Sequence, residues 1–350
     1  MRVLHLPIVI CNQPWELSRA LRRIGIWSDY MVLDDTNAGW LIPGTPDYNL
    51  NIYHRPVEHD RNKRNKIRKD IQKFLIYSLF KYDVFHYHSN HPLLEDYSDL
   101  KILKLFRKKI VVSYWGCDIR LKSVNQKFKF STCGPCKISC DEEKVKKQMS
   151  EFSKYANIKL VSMPELLVYS PDAQYLPAVV DTKFWKPDKY YFRQSKTFKI
   201  FHSFGNSVER GDVKGSNSII KAVDRLKDEG NQIELLFFDK VPNVELKKHY
   251  QECDLVIEQL LAGWHGVTAL EAMSLGIPVI SYIRKDLIKY DPELPIINAN
   301  PDTIYDVLKW AINNRQKLLE IGIKSREYTI KNRDSLVIAK KLYQIYKSLY

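Results

Sequence analysis

The sequence has no apolar run long enough to cross a bilayer: the longest, around Phe74 to Phe80, falls far short of the roughly 20 residues a spanning helix needs. Its apolar start carries one early basic residue, Arg2, and no small-residue cleavage site, so the first residues are expected to form a β-strand rather than a secretory leader. Cysteine is sparse. Of six, three cluster at Cys133, Cys136 and Cys140, which is not a secreted disulfide framework, and a reducing cytoplasmic setting is expected. Acidic residues are outnumbered, 41 against 55 Lys and Arg, and the net charge of +14 favours anionic partners: nucleotide phosphates, nucleic acid or acidic lipid head groups.

What is present is apolar and ordered. In 350 residues, 45% hydrophobic and 12% aromatic side chains suffice for two packed cores. Strand-like runs (RVLHLP, SDYMVL, DVFHYH, KIVVSYW, IKLVSM, then FKIFHSF, IELLFFD, DLVIEQL, IPVISYI, LPIINA) alternate with helical stretches such as Pro14 to Ile24, Asn217 to Asp228 and Thr303 to Asn313. That alternation implies parallel sheets with crossover helices, hence an α/β architecture built twice. A stretch rich in proline, aromatics and charge around 181–197 reads as the connector. The expected division is a first domain over 1–180, a second over 181–334, and a terminal helix over 335–350 that packs back across the seam. Parallel sheets bind ligands at the carboxyl ends of their strands, which makes the cleft between the domains the default site.

Two stretches carry chemistry. In GWHGVTALEAMSLGIPVI, glycines precede a helix start, where backbone N–H groups lack internal partners and the helix dipole favours an anion. Gly266, Val267 and Thr268 can supply those donors, and Glu271 lies one turn in, placed to accept hydrogen bonds from a pair of sugar hydroxyls. The competing reading is a capping box, Thr268-x-x-Glu271, that binds nothing; a helix beginning at 266 would favour the ligand reading. The second stretch, HSFGNSVERGDVKGS over 202–216, joins a strand to a helix through a basic, glycine-containing loop, with Arg210 and Lys214 as charges for phosphate.

EQLLAGWHGVTALEAMSLGIPVI resembles the donor-site signature of family 4 glycosyltransferases of the GT-B fold, and KGSNSIIKAVDRL resembles that family's Lys-Gly phosphate loop and helix. YLPAVVDTKFWKP is similar to its interdomain linker, and DVFHYHS and VVSYWGCDIR to the first-domain strand ends that line the cleft. The resemblance implies two Rossmann-like domains facing each other across a cleft and a retaining transfer from a nucleotide-diphosphate sugar to a hydroxyl acceptor. It implies that Glu271 binds the ribose, that Arg210 and Lys214 hold the diphosphate, and that the segment Gly263, Trp264, His265, Gly266, Val267 and Thr268 forms the donor site. His88 is implied at the reacting centre, with Trp115, Gly116, Asp118 and Arg120 on the acceptor side. The sequence has no Asp-x-Asp, so cationic groups take the place of a metal and no cofactor is required for catalysis.

Two positions depart from the family pattern. Gly263 stands where a first glutamate is common, and Glu258 or Gln259 is the candidate substitute for a sugar contact. Trp115-Gly116 replaces the usual His-Gly, which leaves His88 as the strand-end histidine, with His86 expected on the opposite face. Outside the signature, Cys133-x2-Cys136-x3-Cys140 suits three ligands of a structural zinc, with Cys117, a nearby histidine or another group as the fourth; the alternative is three free thiols in a loop. The basic stretch from Arg55 to Lys81 carries Ile67, Ile71, Phe74, Leu75 and Leu79 at helical spacing, which suits packing on the first sheet, its charged face being open to an anionic membrane.

The expected protein is therefore a cytoplasmic glycosyltransferase, or one peripheral on the inner face of the plasma membrane, using a glycan or lipid-linked glycan acceptor in envelope polysaccharide or glycoconjugate synthesis. Alternatives are a nucleotide-sugar epimerase of the same fold and a degenerate, non-catalytic nucleotide-sugar binder. A nucleic-acid partner is not expected, for want of a regular basic and aromatic stacking motif.

Overall fold

The computed structural model describes residues 1–33, 44–50, 61–188, 195–203, 210–238, 241 and 243–350. Parts of the expected connector (189–194) and of the basic loop (204–209) lie outside the described residues, as does the start of the basic stretch before Arg61.

Two all-parallel sheets organise the chain. The first contains β1 (Arg2–Leu6), β2 (Trp27–Val32), β3 (Tyr48–Asn49), β4 (Val84–His88), β5 (Lys109–Tyr114), β6 (Ile158–Val161) and β7 (Gln174–Tyr175), in the spatial order β3-β2-β1-β4-β5-β6-β7. The second contains β8 (Phe198–Ser203), β9 (Ile233–Phe238), β10 (Leu255–Ile257), β11 (Val279–Ser281) and β12 (Ile297–Asn298), ordered β12-β11-β10-β8-β9. The central strands are buried along their length, β4 at all five residues, because helices cover both faces and leave no solvated side to favour alternation.

The helix Arg61–Lys81 shows what its apolar spacing is for. Ile71, Phe74, Leu75 and Leu79 are buried against Met31, Leu33 and Tyr82 of the first core, while Ile76, Tyr77 and Phe80 remain exposed on the other side. No helix among the described residues is long and apolar enough to cross a membrane.

The chain leaves the first sheet and returns to it at one point. Val180 and Asp334 form a parallel bridge, with Val180 N–H donating to Arg333 O at 3.0 Å and Ser335 N–H to Val180 O at 3.0 Å. From there the helix Ser335–Lys347, capped by Asp334 through the Leu336 N–H, packs Ile338, Ala339, Leu342 and Tyr346 against Val3, Leu17, Leu21, Val84 and Val111 of the first domain. Burying Ile338 and Leu342 contributes about 1.5–3 kcal/mol each, so the last helix is a structural part of the first domain although it follows the second in sequence.

Candidate active site

The glycine-bracketed stretch is a strand end, a turn and a helix start. The helix runs over Val267–Ser274 with Gly266 at its N-cap and, among the described residues, no side chain capping it. Thr268 is its second residue and Glu271 its fifth, two residues beyond the third position at which a capping box would close. Glu271 is buried and accepts a hydrogen bond from the Tyr250 hydroxyl at 3.1 Å; that hydroxyl's pKa is pushed well above the usual value, by burial first and by Glu271 second.

Glu258, at the carboxyl end of β10, is a buried residue and not an open loop carboxylate. Its Oε2 accepts the Gly266 N–H at 2.9 Å, and its Oε1 lies 3.8 Å from Lys214 Nζ. Burial raises its pKa, and Lys214 and the Gly266 N–H oppose that rise. Lys214 and Gly215 reach this point because Gly215 turns at φ +81° onto the helix Ser216–Asp228, and a Cβ there would approach Leu260 to 3.1 Å. His202, at the end of β8, bonds Ser216 Oγ at 2.8 Å and Ile257 O at 2.7 Å, fixing that helix start against β10.

Other members of the expected donor segment have structural surroundings. Gly263 adopts φ +83°, a turn conformation that glycine favours, and its carbonyl accepts from Arg284 N–H at 3.0 Å. Trp264 is buried at the seam, with its ring 6.3 Å from Tyr175 of the first domain, and packs with Ile283 and Leu287. His265, also buried, lies beside the Trp264 ring at 5.4 Å; burial, with Arg333 adding to it, lowers its pKa to about 3.

In the first domain His88 is not an open strand-end side chain. It is wholly buried, 2.8 Å from His5 Nδ1 through its Nε2, and stacks on His86 at 4.3 Å. The expectation that His86 points to the opposite face is corrected: a strand has period two, so residues 86 and 88 share a face. His86 in turn bonds Tyr346 of the terminal helix at 2.6 Å and Ser113 at 2.7 Å. Burial, then the neighbouring histidines, hold the His88 pKa well below the usual value.

Trp115, half-buried, stands 5.9 Å from His88. Asp118 turns back on its own loop, accepting from Trp115 N–H at 3.0 Å and Gly116 N–H at 2.6 Å, and its pKa rises to about 6 through burial against those hydrogen bonds. The Arg120 side chain is 8% exposed and is ion-paired with the buried Glu165. Asp118 and Arg120 therefore shape the strand-end loop: both Asp118 oxygens accept from its backbone and Arg120 Nη2 is taken by Glu165, while the buried Arg120 Nε has no hydrogen-bond partner.

Across the cleft, Arg210 Nη2 lies 3.1 Å from the Cys117 sulfur, and Arg210 O accepts from Lys137 N–H at 3.0 Å. Two further cleft residues carry no sequence signature. Cys11, exposed after β1 with φ +45°, lies within electrostatic reach of Glu271, Lys214 and Glu258 of the second domain. Glu16, on the helix Gln13–Arg23, is 2% exposed, has a buried Oε2 without a hydrogen-bond partner, and is raised to about 8 by burial first, with Asp181, Asp334 and Glu271 adding and Arg23 opposing. An isolated positive-φ cysteine and a helix glutamate give no pattern to read; only the folded cleft brings them to Glu271.

The thiols of Cys133, Cys136 and Cys140 are buried, half-buried and exposed respectively, and are not drawn to one point. Among the described residues the only three such ligand atoms within 4.8 Å of one another belong to His5, His86 and His88.

Neither a family model nor a curated protein matches this chain. Solved structures do, end to end. Sucrose-phosphate synthase from Thermosynechococcus elongatus is 15% identical, with 100% of this chain and 99% of that one covered and a TM-score of 0.64. Anabaena HepE in complex with UDP and glucose is 14% identical over 99% of this chain and 100% of that one, at 0.63. A Listeria monocytogenes chain described as a UDP-N-acetylglucosamine 2-epimerase is 12% identical, covering 99% and 96%, at 0.53. The fold is GT-B. In GT-B terms the first sheet and terminal helix form one Rossmann-like domain and the second sheet the other, with Lys214, Glu258 and Glu271 at the edge of the second that faces the β1 loop of the first.

Proposed function

We propose that the protein is a glycosyltransferase that moves a sugar from a nucleoside diphosphate to a hydroxyl acceptor with retention of anomeric configuration. One observation carries the reading: the Gly266 N–H and Lys214 Nζ converge on the buried Glu258 carboxylate, at 2.9 and 3.8 Å, at the start of the helix that carries Glu271. Arg210 reaches the Cys117 sulfur of the first domain at 3.1 Å, so cations, a helix start and buried carboxylates meet at one strand end facing the first domain. Glu271 accepts the ribose hydroxyls. Lys214 and Arg210 hold the diphosphate, together with the Val267 and Thr268 amides that follow the Glu258-bonded Gly266.

Breaking the anomeric C–O bond places negative charge on the leaving diphosphate, and cations and N–H dipoles already in position stabilise that charge best where protein excludes water. The acceptor enters from the first-domain side, past Cys11 and Trp115. Glu258 competes with phosphate for Lys214 and Gly266, so it sets the depth to which the donor enters.

An epimerase acting on a nucleotide sugar is the second reading, favoured by the end-to-end structural match to a 2-epimerase. Melting temperature and titration calorimetry against UDP, ADP, GDP and their sugars test both, because a ligand that binds only the folded state raises the melting temperature. At least one diphosphate should bind, and Glu271→Ala and Lys214→Ala should each weaken it by about tenfold or more. Product analysis then separates a transferred sugar or slow donor hydrolysis from an epimerised donor. If no nucleotide shifts the wild type and none turns over, the reading fails.

A further inference from the structure

The helices Arg61–Lys81 and Ser98–Leu105 lie on one face of the first sheet, where Ile71, Leu75 and Leu79 of the former share a core with Leu100 and Leu103 of the latter. Arg68 of the first helix pairs with Asp96, just ahead of the second, at 2.7 Å, so the two run side by side. The first ends just before β4 and the second just before β5, at the edge where the strands begin: Asp83 N–H donates to Arg2 O at 2.8 Å, and Lys109 N–H to Asp83 O at 3.0 Å.

Their inward faces are taken up by the core, and what they leave outside is both apolar and basic. On the first helix Lys69, Lys73, Ile76, Tyr77 and Phe80 recur at spacings of three and four and form one exposed stripe. On the second, Lys101, Lys104, Leu105 and Phe106 are exposed, and Arg107 follows. Leu105 is 79% and Phe80 75% exposed, the two highest values among the large apolar side chains that the described structure leaves outside. Trp27 joins the end of the stripe through Lys81, whose Nζ lies 5.6 Å from the centres of both the Trp27 and the Tyr77 rings. Single exposed apolar residues are ordinary, but a cluster rimmed by charge marks a contact surface.

The charge around these groups is of one sign. The two helices carry two acidic residues: Asp70 lies 3.9 Å from Lys73, and Asp99 is buried, accepting from the Tyr87 hydroxyl and the Leu93 N–H. Lysine is depleted at protein–protein interfaces, and the phosphates of a nucleic acid would leave Ile76, Phe80 and Leu105 in water. A bilayer with anionic head groups uses both kinds of side chain. It attracts the lysines, whose stems lie along the head-group region, and takes the apolar tips into the acyl boundary, with Trp27 and Tyr77 suited to the layer between.

We propose that the exposed face of these two helices docks the first domain on an anionic lipid bilayer, with Ile76, Phe80 and Leu105 inserting and Lys69, Lys73, Lys101 and Lys104 around them. The contact lies toward the edge where the strands begin, opposite the strand ends that lead to His88 and Trp115, so docking leaves the cleft open. The proposal does not depend on the sugar-transfer reading: none of its residues is assigned to nucleotide or acceptor, and its test reads lipid rather than turnover.

The full chain is sedimented with vesicles of phosphatidylcholine alone and of phosphatidylcholine with an equal part of phosphatidylglycerol, at low and high salt. We expect binding to the mixed vesicles alone, weakened by salt. Lys73→Gln and Lys101→Gln should each lower the vesicle partition coefficient by about fivefold, and Phe80→Ser and Leu105→Ser by about tenfold or more. These four positions are exposed, so each variant should melt with the wild type. Lys227→Gln, which removes the same charge from an exposed helix position in the second domain, should bind as the wild type does. Equal binding to neutral and mixed vesicles, or to neither, would overturn the proposal. So would binding that both serine variants leave unchanged, or that Lys227→Gln weakens as much as Lys73→Gln does. Self-association that Phe80→Ser abolishes, or lysine-dependent oligonucleotide binding, in place of vesicle binding would overturn it in favour of a second copy or a nucleic acid.

Discussion

The Glu258 carboxylate accepts the Gly266 N–H at 2.9 Å, so the first donor of the helix that begins at Val267 is satisfied from inside the protein before any ligand arrives. A β-strand end and a helix start eight residues apart are thereby clipped together, with Lys214 3.8 Å from the same carboxylate.

Removing that clip should have two separable effects. Glu258→Ala leaves the Gly266 amide without its acceptor and should lower stability by about 1–3 kcal/mol, read from urea unfolding. Glu258→Gln keeps an acceptor but removes the charge beside Lys214, so it should cost less stability and raise affinity for a nucleoside diphosphate several-fold, most at low salt. Equal or weaker diphosphate binding by Glu258→Gln would show that Lys214 and Glu258 do not compete.

Glu16 gives a pH signature. Its pKa is about 8 in the fold against an ordinary 4.5, so between those values the folded state holds a proton that the unfolded chain releases. Stability from this group is fully present below pH 4.5 and falls as pH rises through 8; the span sets an upper bound of about 5 kcal/mol. Glu16→Gln, which stays neutral, should match the wild type near pH 5 and exceed it by a few kcal/mol near pH 9. A difference between the two proteins that does not grow with pH, measured by denaturant unfolding across that range, would mean that Glu16 ionises freely.

Much of the architecture was legible. Val84 to His88 and Ile280 with its neighbours read as strands because β-branched and aromatic runs bounded by turn residues leave few alternatives, and the terminal helix was visible in Leu336, Ala339 and Leu342 at helical spacing. The site was less so. His88 reads as an open strand-end histidine until His5, from β1, is placed beside it. Glu258 reads as a substitute sugar contact until Gly266 folds back onto it, and Cys11 and Glu16 come within electrostatic reach of Glu271 only through the cleft. These are pairings of high sequence separation, and no local pattern encodes them.

The terminal helix makes the first domain depend on the last residues of the chain. Leu342 is wholly buried against first-sheet residues, and Tyr346 bonds His86 from the same face. Leu342→Ala should destabilise by about 2–5 kcal/mol, and Tyr346→Phe by about 1–3 kcal/mol because His86 loses a buried partner. Chemical denaturation followed by tryptophan fluorescence would show both losses. If Leu342→Ala unfolded at the wild-type midpoint, the helix would not be part of that core.

Gly263 separates two explanations for the glutamate expected at its position. One is that a sugar contact was lost and could be restored; the other is that the backbone there excludes side chains. At φ +83° a side chain is strained whatever the space, and the strain is in the backbone alone, because a Cβ there would meet the Arg284 side chain at an ordinary contact distance, 3.4 Å. Gly263→Ala should therefore cost about 1 kcal/mol or more, and Gly263→Glu at least as much, with no gain in discrimination between nucleotide sugars. The comparison needs only melting temperatures and donor competition curves for the two variants. A Gly263→Glu protein as stable as the wild type and more selective for one donor would show that the turn accommodates a side chain and that the position reads the sugar.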